Sequence, residues 1–219
     1  MNIIWYGQSC FKITVSTGKG PERQAIIITD PFDKSIGLKP PRTRADIVTV
    51  SHQHRDHNNV GIIKDNPFII DGPGEYEIKK VSIKGISSFH DKKQGALRGK
   101  NTIYVIEAED IHLCHLGDLG HILEAGQLEQ IGKIDILMIP VGGHYTISWN
   151  EADEVINQIE PKIVIPMHYK IPGLTINLDS VDKFCKEMGA SSKKTIPKLS
   201  IKKKNLPQEE MEIVVMEKS

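Results

Sequence analysis

Short runs of β-branched and aromatic residues recur along the first fifty positions of the chain. They are NIIWYG, CFKITV, QAIIITD and ADIVTVS, separated by Gly, Pro and Lys. This pattern is typical of short strands, and it predicts that the fold begins as a β-meander. FIIDG, EIKKVSIKGISS and NTIYVIEAEDIHLCHLGD continue the strand pattern and predict a second sheet, with a hairpin turn at Glu109 and Asp110.

Three later segments carry helical signals. They are residues 119–131, SWNEADEVINQIE with Ser148 as the N-cap, and LDSVDKFCKEMG, capped by Asp179 or Ser180 and ended by Gly189. Between them, IDILMIPV and KIVIPMHY are continuous apolar runs typical of buried strands, and the tail KLSIKKKNLPQEEMEIVV predicts a last pair of strands. Strands mixed with helices in this way predict an α/β sandwich, with two sheets inside and helices outside.

Composition narrows the class of protein. A chain of 219 residues is long enough for one domain, so we expect residues 1–219 to form a single unit. The chain has 28 Lys and Arg against 28 Asp and Glu, which disfavours a large nucleic-acid footprint while leaving a local contact open. Its three cysteines lack CxxC spacing, and no apolar run is long enough to span a membrane. We therefore expect a cytoplasmic protein without a membrane partner. No pattern indicates the oligomeric state.

The stretch VTVSHQHRDHNNV places His52, His54, Asp56 and His57 directly behind a predicted strand. Alternate side chains of an extended segment share a face, so His52, His54 and Asp56 can point into one cavity. Imidazole and carboxylate groups are ligands of divalent transition metals, and this loop alone could start two metal sites. A surface loop of histidines is the alternative, and the preceding strand and the residue order weigh against it.

Three more candidate ligands end other predicted strands. His90 closes the run in ISSFHDKK, Asp118 lies between glycines in HLGDLGH, and His168 follows the apolar run in IVIPMHY. Because strand ends can open onto one edge of the fold, we expect these side chains to complete the metal site.

With Asp30 in IIITDP added, these motifs appear in the order that is found in the metallo-β-lactamase superfamily, and the sequence resembles that superfamily along nearly its whole length. The resemblance implies an αββα sandwich of two mixed sheets with outer helices. It also implies two metal ions, with Asp118 bridging both and Asp30 orienting the histidine loop by hydrogen bonds. The implied ligands are His52, His54 and His90 for one ion, and Asp56, His57 and His168 for the other.

Within the superfamily, YGQSCFKI, HLGDLGH, IPVGG and PKIVIPMHY are similar to a compact branch of zinc-dependent hydrolases that includes the ascorbate-6-phosphate lactonases. Two features depart from better-known relatives. Gln8 stands where relatives often have His, and the third motif lacks the PGHT sequence common in glyoxalase II and the β-lactamases. Both departures weigh against activity on the substrates of those enzymes.

Two divalent cations lower the pKa of a water held between them and polarise a substrate oxygen. We therefore expect a metal-dependent hydrolase whose metal-bridging hydroxide attacks a lactone, ester, amide or phosphoester of a small molecule. Zinc is the expected metal, and manganese and iron also suit these ligands. Asp56 and His144 are the predicted catalytic residues, His144 as a hydrogen-bond donor or proton shuttle in PVGGHYT.

Other functions stay open on this sequence. The same ligands would serve a nuclease or a cyclic-nucleotide phosphodiesterase, or a non-catalytic metal-binding regulatory module. Arg98 in GALRGKNT could bind an anionic substrate, or lie in a mobile loop. His115 and His121 are less favoured alternatives to the ligands around Asp118. A set of late lysines favours protection of an edge strand over an RNA-binding patch. They are Lys193, Lys194, Lys198, Lys202, Lys203 and Lys204.

Overall fold

Two sheets face each other in the computed structural model, which describes residues 1–18, 23–192 and 195–219. The first sheet contains β1 (Asn2–Gly7), β2 (Cys10–Ser16), β3 (Gln24–Thr29), β4 (Ile47–Thr49), β5 (Phe68–Ile70) and β12 (Leu199–Ser200). The second contains β6 (Gly74–Ile78), β7 (Val81–Phe89), β8 (Lys100–Ala108), β9 (Ile111–His115), β10 (Ile136–Pro140), β11 (Ile163–Met167) and β13 (Glu212–Ile213). The α-helices are α1 (Ala125–Ile131), α2 (Trp149–Ile159) and α3 (Val181–Glu187).

Both sheets are mixed, and their strand directions decide which chain ends share an edge. In the first sheet β1, β2 and β3 form an antiparallel meander, and β4 and β5 run parallel to β3. In the second, β6 to β9 are antiparallel neighbours, whereas β9, β10, β11 and β13 are parallel. The carboxyl ends of parallel strands lie at one edge of a sheet, which is where α/β proteins bind ligands.

Alternation of side chains along the strands explains why the two sheets pack. Ile27 and Ile47 point into the core shared by both sheets, whereas their neighbours Ile28 and Val48 belong to a smaller cluster on the other face of the first sheet. Loops and short 3₁₀ turns cover that outer face, and the α-helices contribute to the larger cluster. The strands β10 and β11 are buried at every position, as expected for strands covered on both faces.

The expected α/β fold with two mixed sheets is confirmed, and so is the hairpin turn at Glu109 and Asp110 between β8 and β9. The helix α2 begins after Ser148, whose side chain accepts from the Glu151 backbone N–H in a capping box. No helix among the described residues is long and apolar enough to cross a membrane.

The two strands predicted in the tail are present, and β12 joins β1 whereas β13 joins β11 in the opposite sheet. Two local predictions were wrong. Strand β5 belongs to the first sheet, because it continues the parallel ladder beside β4. The helix predicted over 119–131 begins only at Ala125, because Leu119 and Gly120 instead form backbone hydrogen bonds with Ile147 and Phe89.

Some of the lysines that were predicted to protect an edge strand are described by the structure and others are not. Lys193 and Lys194 lie outside the described residues. Lys203 is drawn into an ion pair with the buried Asp135, at 2.8 Å, instead of standing free beside an edge strand.

Tyr104 ties the two sheets together directly beneath the histidine loop. Its buried hydroxyl lies 2.9 Å from the Val50 carbonyl oxygen and 3.1 Å from that of Ile70. We expect Tyr104→Phe to lower the free energy of unfolding by about 1–3 kcal/mol, because buried acceptors lose their donor. Denaturant unfolding measures the change.

The matched control is Tyr76→Phe, since the Tyr76 hydroxyl bonds the Gly72 carbonyl in a more accessible setting. That change should stay within about 0.5 kcal/mol. Equal effects of the two substitutions would contradict a special role for the Tyr104 hydroxyl.

Candidate metal centre

Strand ends from both sheets converge on one buried cluster. The loop from His52 to His57 follows β4, His90 follows β7, Asp118 follows β9 and His168 follows β11. Strand β7 is antiparallel to β8, which is antiparallel to β9, so β7 and β9 end at the same edge. The topology therefore delivers the predicted ligands to one place from four separate strands.

The Asp118 carboxylate lies at the centre of this cluster. Its Oδ2 atom is 3.2 Å from Nε2 of His168, 3.3 Å from Nε2 of His57, 3.3 Å from Nε2 of His90 and 4.0 Å from Nε2 of His52. Asp118 is 2% exposed, so these imidazoles and not solvent surround the charge.

Among the described residues, the candidate ligands form three overlapping groups. The potential ligand atoms lie within 4.8 Å of one another in each group, which are His52, His54 and His90; Asp56, His57 and His168; and His52, His57 and Asp118. We call the first two groups the first and the second triad. His54 is exposed and Asp56 is partly exposed, so each triad reaches solvent through one member.

These residues fit divalent metal ions. Two ligand atoms held about 2.0–2.1 Å from one tetrahedral ion are about 3.4 Å apart, close to the spacing seen around Asp118. In the described part of the chain, four buried imidazole nitrogens of this cluster lack a hydrogen-bond partner. Two of them, Nε2 of His52 and Nε2 of His57, face Asp118, and because buried polar atoms are normally satisfied, these two indicate a group that accepts nitrogen lone pairs. The four atoms are Nε2 of His52, Nε2 of His57, Nδ1 of His90 and Nδ1 of His168.

The charges of the cluster also favour a cation. Burial and the neighbouring His57 lower the pKa of His52 to about 3, so this imidazole is neutral near pH 7 and keeps a free lone pair. Burial would raise the pKa of Asp118, but His168 and His57 hold it well below its ordinary value. Burial would lower the pKa of His57, but Asp118 and Asp56 lie beside it and raise this pKa well above its ordinary value. Asp118 is thus paired with positive charge in the metal-free cluster, and a metal ion would supply that charge in its place.

Asp30 and Ser51 set the tautomers of two histidines. Asp30 Oδ2 lies 2.9 Å from His57 Nδ1 and accepts from the Ser51 hydroxyl at 2.6 Å, while Oδ1 accepts from the Ser51 N–H at 2.7 Å. Since the single Ser51 hydroxyl proton goes to Asp30, its oxygen accepts from His52 Nδ1 at 2.9 Å. Both imidazoles therefore carry the proton on Nδ1 and direct the Nε2 lone pair at the cluster, as carboxylate-oriented metal ligands do.

Strained backbone accompanies the site. Asp30, His168 and Gln8 have positive φ angles of 40°, 52° and 52°. Side-chain-bearing residues rarely adopt this conformation, and such strain is concentrated at functional sites. At Gly120 a Cβ atom would lie 2.3 Å from the backbone of His90, so glycine is required there by close approach. These turns aim the end of each strand inward.

The turn between β1 and β2 also reaches the cluster, a role that the sequence analysis missed. Gln8 Nε2 donates to Asp56 Oδ2 at 3.3 Å, and Ser9 Oγ donates to Asp118 Oδ1 at 3.4 Å. The only signal in the sequence is the turn itself, GQSC after a strand, which gives no indication of what it will meet in space.

His144, predicted as catalytic, lies beside the cluster. Its Nε2 is 3.9 Å from Asp179 Oδ1, and its side chain is 45% exposed. Together with Arg98 and Tyr145 it borders a cavity of about 430 Å³ next to the metal cleft. Its role in catalysis stays a prediction, because the imidazole faces Asp179.

Arg98 belongs to an ordered loop. The Asp91 carboxylate accepts four backbone N–H groups, those of Lys93, Gly95, Leu97 and Arg98. The Arg98 guanidinium donates to the His144 carbonyl oxygen at 3.4 Å and lies 5.6 Å from the centre of the Tyr145 ring. The loop is therefore held by hydrogen bonds at the mouth of the site.

The remaining histidines near Asp118 have structural partners. His115 is buried, with Nε2 2.9 Å from the Ser9 carbonyl oxygen, and His121 Nε2 accepts from the Phe89 N–H at 3.2 Å. Burial lowers the pKa of His115, which is consistent with a neutral ring within the core. His112 is partly exposed and lies 3.6 Å from Glu107.

The cluster opens onto a cleft of about 550 Å³. Its lining combines His54, Asp56 and His168 with Arg55 and Arg98. No ion pair among the described residues involves either guanidinium, and both therefore lie at the cleft with their charge unneutralised by a carboxylate.

Comparison with known proteins shows the family of the chain. The profile of the β-lactamase superfamily domain matches residues 2–168, a range that contains every candidate ligand. A UPF0173 metal-dependent hydrolase of Staphylothermus marinus is 31% identical over 194 residues, covering 77% of this chain and 84% of the relative. A crystal structure from Thermotoga maritima, named as a zinc-dependent hydrolase of the metallo-β-lactamase superfamily, is 40% identical. It has a TM-score of 0.75 and covers 98% of this chain and 97% of its own.

A more distant structure shows the fold alone. A metallo hydrolase of Ignicoccus hospitalis is 18% identical, with a TM-score of 0.61 over 92% of this chain and 99% of its own.

The Asp30 network predicts that metal affinity depends on a residue that contacts no metal. We expect Asp30→Asn to weaken zinc binding about 10- to 100-fold, because the amide removes the charge that orients His57 and Ser51. Zinc per chain at buffered free zinc measures the effect. Asp153→Asn, on the exposed face of α2, is the control. Equal zinc affinity of the two variants would contradict the assignment.

Proposed function

The chain belongs to the metallo-β-lactamase superfamily as one of its metal-dependent hydrolases, and we propose that it binds two divalent ions and hydrolyses a small, anionic substrate. The observation that carries this proposal is the buried Asp118 carboxylate with imidazole Nε2 atoms from three further strand ends around it. The first triad would hold one ion, the second triad the other, and Asp118 would contact both. Zinc suits these nitrogen and oxygen ligands, as do manganese and iron.

Two ions bound in this way would supply a hydroxide near neutral pH and a Lewis acid for the substrate oxygen. The protein residues keep the ligands in place. Asp30 and Ser51 hold His57 and His52 in the ligating tautomer. Asp56, which is partly exposed at the cleft, is the proposed proton acceptor of the second triad.

Substrate size and charge follow from the cleft. A volume of about 550 Å³ suits a small molecule better than a polymer. Arg55 and Arg98 line it, and an arginine fork matches a planar carboxylate or phosphate. A lactone, ester, amide or phosphoester bearing an anionic group is therefore the proposed substrate class.

We further propose that residues 1–219 act as one catalytic domain in the cytoplasm. The larger core cluster contains residues of both sheets and all three α-helices, which supports one folding unit. Cys10, Cys114 and Cys185 are buried free thiols, as is usual in a reducing compartment.

The proposal predicts metal-dependent turnover. The purified protein should hydrolyse at least one member of a panel of phosphorylated lactones, carboxylated esters and bis-phosphodiesters. A chelator should abolish the rate, and added zinc or manganese should restore it. A strong bis-phosphodiester signal alone would instead favour a nuclease or cyclic-nucleotide phosphodiesterase. Full metal loading without turnover on any class would favour a regulatory module.

A variant pair locates that activity. His54→Ala should lose turnover and the metal of the first triad, because His54 is one of its three members. His112→Ala removes a partly exposed histidine outside the cluster and should keep both. Full hydrolysis by His54→Ala would contradict the assignment of His54 as a metal ligand.

Arg98 gives a prediction on specificity. Arg98→Ala should raise KM for an anionic substrate about tenfold or more, the usual value of a charge-assisted hydrogen bond, and leave KM for a neutral analogue unchanged. Arg42→Ala, at an exposed position, is the matched control. An unchanged KM for the anionic substrate would remove Arg98 from the recognition site.

A further inference from the structure

The turn joining β1 to β2 contacts the second triad. Gln8 lies in this turn and is fully buried. Its backbone carbonyl oxygen accepts from the His168 N–H at 3.2 Å, and its side-chain Nε2 donates to Asp56 Oδ2 at 3.3 Å. One residue thus contacts two members of the second triad that come from different strands.

The turn itself is anchored. The Trp5 indole N–H donates to the Gln8 carbonyl oxygen at 2.9 Å, and Trp5 is 1% exposed within the core. Gln8 adopts a positive φ of 52°, a conformation that costs free energy in a residue with a side chain. The hydrogen bond from Trp5 therefore anchors the backbone of Gln8 to the core.

The amide orientation follows from its neighbour. Asp56 is an acceptor when ionised, so Nε2 and not Oε1 must face it. Oε1 is then left buried without a hydrogen-bond partner among the described residues. A buried oxygen without a hydrogen-bond partner costs free energy. The hydrogen bond from Nε2 to Asp56 is what the site retains in return.

Asp56 is the partly exposed member of the second triad. His57 is held by Asp30, and His52 by Ser51, whereas the Asp56 side chain is 18% exposed at the cleft. His57 Nε2, 3.4 Å from Asp56 Oδ2, faces the proposed ion, so Gln8 is the neighbour that holds this carboxylate from outside the ligand set. As a neutral amide, Gln8 donates without adding a positive charge beside a cation site.

We propose that Gln8 is a positioning residue for Asp56 and thereby sets the metal affinity of the second triad separately from that of the first. The inference rests on the proposed two-ion site.

The test measures zinc stoichiometry and affinity over a series of buffered free-zinc concentrations. Gln8→Leu removes the amide, and Gln8→Asn keeps an amide that is one methylene too short to reach Asp56. Both should weaken one of two zinc sites about 10- to 100-fold and leave the other unchanged. Gln8→His retains an N–H donor and should recover part of the affinity.

Gln158→Leu is the matched control. Gln158 also donates one hydrogen bond, from Nε2 to the Leu123 carbonyl at 3.1 Å, and also has a buried Oε1 without a partner among the described residues. It lies on α2, away from the candidate ligands, and its substitution should leave both zinc affinities unchanged. Circular dichroism of the metal-free variants checks that each one folds.

The same substitution made in the His54→Ala variant shows which of the two zinc sites depends on Gln8. His54→Ala removes a ligand of the first triad, so its remaining zinc reports the second, and adding Gln8→Leu should weaken that zinc by the same factor. Gln8→Leu and Gln8→Asn binding both zinc ions like the wild type would overturn the inference. A wild-type chain that binds a single zinc would instead overturn the two-ion proposal and this inference with it.

Discussion

A carboxylate buried among imidazoles is the constraint around which this fold is organised. Asp118 is ionised and almost fully buried, and His57, His90 and His168 approach its Oδ2 atom within 3.3 Å. A cluster of this kind is costly without a cation, because burial removes the water that would stabilise the charge and satisfy the nitrogens. Elements from both sheets converge there, so the stability of the fold and the chemistry of the site are coupled.

The turns around the cluster carry part of the free-energy cost of this arrangement. Positive φ angles at Gln8, Asp30 and His168 turn the chain sharply where strands end. Tyr104 joins the sheets below the histidine loop, while Asp30 and Ser51 decide which nitrogen of His57 and His52 faces the cluster. The strand ends thus present lone pairs to the cluster, and the proposed substrate contact, Arg98, lies on a separate loop at the cleft.

Much of this follows from the sequence, because strands and ligands leave local signals. Periodicity located the strands of the first meander, and Ser148 marked the start of α2. The candidate ligands were found because imidazole and carboxylate groups at strand ends are chemically conspicuous. Long-range pairing leaves no such signal, and so the partners of β12 and β13 could not be predicted and β5 was assigned to the wrong sheet. Gln8 was missed as a contact of Asp56 for the same reason, since 48 positions separate the two residues.

The most direct test of the two-ion centre is anomalous diffraction from crystals of the zinc-loaded protein, with data collected on both sides of the zinc absorption edge. Our account predicts two anomalous peaks, one on each side of Asp118, the first contacted by His52, His54 and His90 and the second by Asp56, His57 and His168. A single peak, or peaks away from Asp118, would contradict it.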